Sequence, residues 1–101
     1  MLKEKSRRPT HPGAILREDI LPAANITQTQ LAKLLGTSRR SVSQIIHEER
    51  PITTDMAVRL ALVFRNSPQF WLNLQQAVDV WDAQNEHEEE YKQIKPLAAV
   101  G

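Results

Sequence analysis

Between Thr27 and Ile46 the apolar residues Leu31, Leu35, Val42 and Ile45 recur at helical spacing, and one glycine, Gly36, interrupts them. This pattern reads as a helix of about eight residues, a turn of three or four, and a second helix of about nine. Ala32 is the small residue at which the two helices cross, and Gly36 sits at the turn. Those dimensions are the ones that seat a second helix in the major groove of DNA. Here the second helix follows Ser38 and opens with Arg39 and Arg40.

The rest of the chain must supply a core for this unit. At 101 residues it has room for one domain and one small helical core. Hydrophobic residues make up 41%, while only three glycines and little alternation argue against a β architecture. The chain has no cysteine, which excludes disulfides, thiolate metal sites and thiol catalysis. No apolar run approaches the roughly 20 residues of a membrane helix. The N-terminal charges are not followed by an apolar core, so no signal peptide is expected and a cytoplasmic protein is the default.

Charge is unevenly placed. Residues 1–50 carry nine Lys/Arg against five acids, a net +4, and residues 51–101 carry four against seven, a net −3. Such a split points to a nucleic-acid face on the first half and a solvated or partner-facing second half.

Five helices are expected. A basic arm occupies residues 1–9, and Pro12 suits the first turn of a helix carrying Ile15, Leu16 and Ile20, which Pro22 ends. Thr27 and Gln30 form a capping box for the second helix, and Ser38 caps the third, which runs to about His47. After the connector Pro51-Ile52, Thr53 caps a fourth helix. Its Met56, Val58, Leu60, Ala61, Leu62 and Phe64 mark it as the central core element. Ser67 and Pro68 start a fifth helix with Phe70, Trp71, Leu74, Ala77, Val78 and Trp81 on one broad apolar face. Beyond Trp81 the pattern fades, leaving either an extension anchored by Tyr91 and Ile94 or a frayed end. The domain is thus expected over residues 10–91, with a flexible tail over 92–101.

Candidate DNA contacts follow from side-chain chemistry. Gln28, at the start of the first motif helix, has an amide that can donate to a phosphate, as do the helix-end N–H groups. Val42, Ile45 and Ile46 must point inward, which turns Arg39, Arg40, Ser43 and Gln44 toward the groove. Arginine can fork onto guanine O6 and N7, and glutamine onto adenine N6 and N7. Ser38 and Ser41 are short phosphate donors that also serve as caps, and Arg50 is placed to clamp a second phosphate. A domain this small can hardly bury every large side chain of the fifth helix. Trp71, Leu74, Val78 and Trp81 are therefore expected to form a homodimer interface, since one recognition helix reads only a few base pairs. His11, His47 and His87 are scattered, and no metal motif or phosphate loop is present, so neither catalysis, a metal, a cofactor nor a small-molecule substrate is expected.

The sequence resembles the XRE-type helix-turn-helix family of phage Cro and repressor proteins, and more closely the HigA (VapI-like) antitoxins. The resemblance is carried by His11-Pro-Gly-Ala-Ile-Leu-Arg-Glu, Thr27-Gln-x-x-Leu-Ala-x-x-Leu-Gly-x-Ser and Val42-Ser-x-Ile-Ile46. It continues through Ile52-Thr-x-Asp-Met-Ala-x-Arg-Leu-Ala61 and Ser67-Pro-x-Phe-Trp-Leu-Asn-Leu-Gln75, the last being the most specific to HigA-like proteins. It implies a compact, all-α, lambda-repressor-like domain in which a glutamine at the place of Gln28 contacts phosphate. It also implies an antitoxin that binds operator DNA, represses its own operon and neutralises a HigB-like toxin, an mRNA endonuclease of the RelE type. The alternative is a stand-alone repressor with no toxin partner. One departure stands out: relatives usually have Asn-Gly after the recognition helix, where this chain has His47-Glu48-Glu49. Without that glycine, either the helix runs on or the loop differs.

Overall fold

The computed structural model describes residues 7–97, and every regular element among them is helical. The first helical segment comprises α1 (Pro12–Ile15), a π-helical turn (Leu16–Ile20) and α2 (Leu21–Ala24). Then follow α3 (Gln28–Leu35), α4 (Arg39–Ile46), α5 (Thr54–Phe64), α6 (Pro68–Glu86) and the short α7 (Glu88–Tyr91). The all-α expectation holds, but the count and two boundaries differ from the five helices expected.

Pro22 does not end the first helix. The Leu21 N–H reaches back to the carbonyl of Leu16, a five-residue step, and the widened turn takes the proline ring without the usual clash. The helix stops at Asn25 instead, whose left-handed backbone (φ 57°) closes α2. At the other end of the chain, α6 runs past Trp81 to Glu86.

The caps read from the sequence are present. Thr27 accepts from the Gln30 N–H while the Gln30 side chain accepts from the Thr27 N–H, closing the box on α3. Ser38, Thr53 and Ser67 cap α4, α5 and α6 in the same way. Gly36, at φ 71°, ends α3 in the left-handed conformation that glycine adopts without penalty.

These helices wrap one core of Leu16, Leu31, Leu35, Val42, Ile45, Ile46, Ile52, Met56, Ala57, Leu60 and Trp71. α5 is central but one-sided. Ala57, Leu60 and Ala61 are buried, whereas Val58 is 41% and Leu62 77% exposed, contrary to their expected core positions. α6 lies along α5 and holds the connector before it: the buried Gln75 accepts from the Ile52 N–H at 2.8 Å. Its amide nitrogen donates onward to Asp79.

Candidate nucleic-acid interface

α3 and α4 meet through Leu31, Ala32, Leu35, Val42, Ile45 and Ile46, all buried, which leaves the opposite face of α4 to solvent. Each of the two helices is tied at its C-terminal end by an arginine from a neighbouring element. Arg59 of α5 pairs with Asp55 and donates to the carbonyl of Leu35 at 2.8 Å. Arg17, in the π turn, donates to the carbonyl of Ile46 at 2.6 Å. A guanidinium at a helix C-terminus meets orphan carbonyls and the negative end of the dipole, so both ties stiffen the motif. Sequence reasoning missed both, because the partner carbonyls lie 24 and 29 residues away.

Arg39 and Arg40 open α4, both exposed. Among the described residues neither makes an ion pair or a side-chain hydrogen bond. Three other arginines are engaged, Arg8 with Asp82 and Glu48, Arg17 with Glu18 and Glu48, and Arg59 with Asp55, whereas Arg7 and Arg65 likewise have no carboxylate partner among the described residues. Together with Ser43, Gln44 and Glu49 the free pair lines an open recess. Ser43 and Gln44, expected to face the groove, are half-buried there at the edge of the packed face. The Gln44 side-chain oxygen is shielded and has no donor among the described residues.

The phosphate-type candidates gather at the two helix starts. Ser38 Oγ accepts from the Ser41 N–H and donates to Ser41 Oγ at 3.1 Å. Arg50 reaches back along α4 and donates to the same Ser41 hydroxyl at 3.1 Å. Residues nine apart in sequence thus form one cluster of donors beside Arg39 and Arg40. Gln28 stands apart, half-buried at the first position of α3.

The departure at His47-Glu48-Glu49 is resolved by strain. α4 ends at Ile46, and Glu48 itself takes the left-handed backbone (φ 62°) that a glycine would take freely. The Glu49 N–H then closes on the Gln44 carbonyl at 2.7 Å. The Glu48 carboxylate is held by Arg17 at 3.4 Å and Arg8 at 3.7 Å. Arg8 also grips Asp82 of α6 through two hydrogen bonds of 2.8 and 2.7 Å, which hold the Asp82 carboxyl below its ordinary range. The expected basic arm lies mainly outside the described residues, and Arg8, near its end, is docked.

His11 is buried as the cap of α1, its Nδ1 accepting from the Gly13 N–H at 2.9 Å. Burial pushes its pKa below the usual 6.5, against the opposing pull of Glu48.

The expected self-association surface divides in two. Trp71 and Val78 are 0% and 1% exposed, so they are core residues and not available to a partner. The Trp71 ring is packed by Phe64 and Phe70, and its Nε1 donates to Asn66. Leu74 and Trp81 remain half-buried at the rim, next to exposed Phe70 and Ala77. Trp81 Nε1 has neither solvent nor a hydrogen-bond partner among the described residues.

A family described as helix-turn-helix matches residues 16–71. The antitoxin HigA-1 of Vibrio cholerae is 40% identical over 96 residues, covering 95% of this chain and 90% of that protein. The HTH-type transcriptional regulator YbaQ of Escherichia coli K12, itself uncharacterized, is 43% identical over 99 residues, covering 96% and 88%. Among solved structures, Pseudomonas aeruginosa antitoxin HigA with the higBA promoter superposes with a TM-score of 0.85 at 40% identity, covering 89% of this chain and 99% of that one. Antitoxin GraA in complex with its operator gives 0.85 at 37% identity, covering 96% and 98%. These relatives are named as regulators and antitoxins, not enzymes. By sequence and by fold, this chain belongs to the XRE-type helix-turn-helix family, among its HigA-type antitoxins.

Proposed function

We propose that this protein binds operator DNA as a homodimer, represses its own operon in the bacterial cytoplasm and neutralises a HigB-like, RelE-type mRNA endonuclease encoded beside it. One observation carries the DNA half: Arg39 and Arg40 stand side by side at the start of α4, exposed and, among the described residues, unpaired, beside the Ser38, Ser41 and Arg50 donors. Free guanidinium groups at that point of a helix-turn-helix are available to guanine edges and phosphates. Gln44 reads an adenine edge once it swings into the recess, and Ser38, Ser41, Ser43 and Arg50 supply phosphate donors around it. Gln28 holds a phosphate at the start of α3. Solved relatives of the same fold, HigA with the higBA promoter and GraA with its operator, support this assignment. The toxin partner rests on the name of the Vibrio cholerae relative.

The dimer surface is the row Phe70, Leu74, Ala77 and Trp81 on α6, spaced four, three and four residues apart. That spacing lines one face of a helix, and a second copy laid along it would cover the half-exposed aromatic rings. A stand-alone regulator is the second reading, favoured by the name of the YbaQ relative.

Operator binding is tested with Arg39→Ala and Arg40→Ala. Each is expected to weaken binding to a fragment of the chain's own promoter by roughly 1–3 kcal/mol, about five- to 150-fold, with helical content intact. Unchanged affinity for the double variant would overturn the DNA reading. Co-expression with the adjacent reading frame separates the two functional readings: a toxic neighbour, relieved by this chain and co-purifying with it, is expected.

A further inference from the structure

Glu48 poses a problem for an interface that binds a polyanion. A carboxylate stands directly after the recognition helix, on a backbone conformation that disfavours any side chain with a Cβ. A glycine would remove both the strain and the charge. Instead the residue is held from two directions, by Arg17 of the π turn and by Arg8 of the segment before α1. Arg8 connects it further to Asp82 on α6, and Arg17 connects it to the last carbonyl of α4. Four elements therefore converge on one exposed turn.

That turn carries Arg50. The chain reverses at Glu48, the Glu49 N–H locks onto Gln44, and Arg50 is delivered back to Ser41 Oγ. A second shallow cleft is lined by Arg8, His11, Glu48, Glu49, Arg50 and Asp82 among others, so the ion network and Arg50 share one depression. Glu49, the neighbouring acid, makes no ion pair among the described residues and lines the recess of Arg39 and Arg40.

We propose that Glu48, clamped between Arg8 and Arg17, is a positioning residue for DNA binding: it holds the turn after the recognition helix so that Arg50 stays at the phosphate cluster with Ser41. This rests on the DNA-binding reading above. The proposal reverses the sign that simple charge would give. Removing an acid near a phosphate backbone should strengthen binding by attraction alone. Glu49→Gln, which breaks no pair, is expected to do so, by about two- to threefold. Glu48→Gln is expected to weaken operator binding, by roughly fivefold, although it also removes a negative charge.

The salt dependence supplies a readout that mere loosening of the fold does not move. If Arg50 leaves its phosphate, the slope of log affinity against log salt falls by about one in Glu48→Gln and not in Glu49→Gln. Arg50→Gln should show the same reduced slope, and adding Glu48→Gln to it should cost little more. Titrations of the folded full chain against its promoter fragment at several salt concentrations measure all four variants. Tighter binding by Glu48→Gln, or an unchanged slope in it, would overturn the proposal. The control is independent: if Arg39→Ala with Arg40→Ala still binds, the DNA reading has failed, and if that variant loses binding while Glu48→Gln gains it, only the positioning role has.

Discussion

His11 shows how a single residue links local conformation to pH. Its neutral Nδ1 caps α1 by accepting from Gly13, and burial keeps the ring's pKa below the 6.5 of a free histidine. The sign of the pH effect follows. Above 6.5 both folded and unfolded chains carry a neutral ring, and the cap contributes fully. As pH falls through 6.5 the unfolded chain takes up the proton first, so this contribution is lost toward the lower folded value. Thermal unfolding is therefore expected to shift to lower temperature between pH 7.5 and 5.5. In His11→Asn, whose side chain can still cap, that shift should be smaller. An equal shift in both proteins would remove His11 as its origin. The cap was not legible in the sequence, where His11 was one of three scattered histidines. Proximity to Glu48 and the burial that depresses its pKa arise only when α1 packs on α4.

At the scale of elements, α1 approaches α4 closely. A Cβ built on Gly13 would overlap the carbonyl oxygen of Ile45, so the backbones touch where the helices cross. Gly13→Ala is expected to lower stability by about 3 kcal/mol, near the upper end for overpacking, since a carbonyl in a helix cannot rotate away. A change below about 0.5 kcal/mol in chemical denaturation would show that the helices can slide apart freely. α5 and α6 teach the complementary lesson. Their apolar residues exceed what one core can bury, and sequence periodicity alone does not say which face turns inward. Val58 and Leu62 went outward, while Trp71 and Val78 went inward, because α6 packs along α5 on the Ala57, Leu60 and Ala61 side.

For the whole molecule, the consequence is a second apolar face on α6 that the monomer leaves half open. Ala77→Glu places a carboxylate in the middle of that row at an exposed position and should leave the fold intact. Light scattering at tens of micromolar is expected to report a dimer for the unaltered chain and a monomer for this variant. A dimer that survives Ala77→Glu but dissociates with Leu62→Glu would move the interface to the exposed face of α5. Loss of the dimer should also weaken operator binding, because two recognition helices then no longer act as one ligand.

Local chemistry set much of this molecule in advance. Thr27, Ser38, Thr53 and Ser67 marked helix starts because a short hydroxyl satisfies N–H groups within three residues of itself. Gly36 marked the turn, and the spacing of Leu31, Leu35, Val42 and Ile45 identified the motif and left Arg39 and Arg40 outside it. Those signals act over a few residues, so the linear chain displays them. The arginine ties on α3 and α4, the clamp on Glu48 and the Gln75 bond that holds α6 to the connector depend on groups 23 to 74 residues apart. Such pairs are brought together only by packing. The helix-turn-helix was therefore a property of the sequence, and the setting that holds its second helix and the turn after it was decided by the tertiary structure.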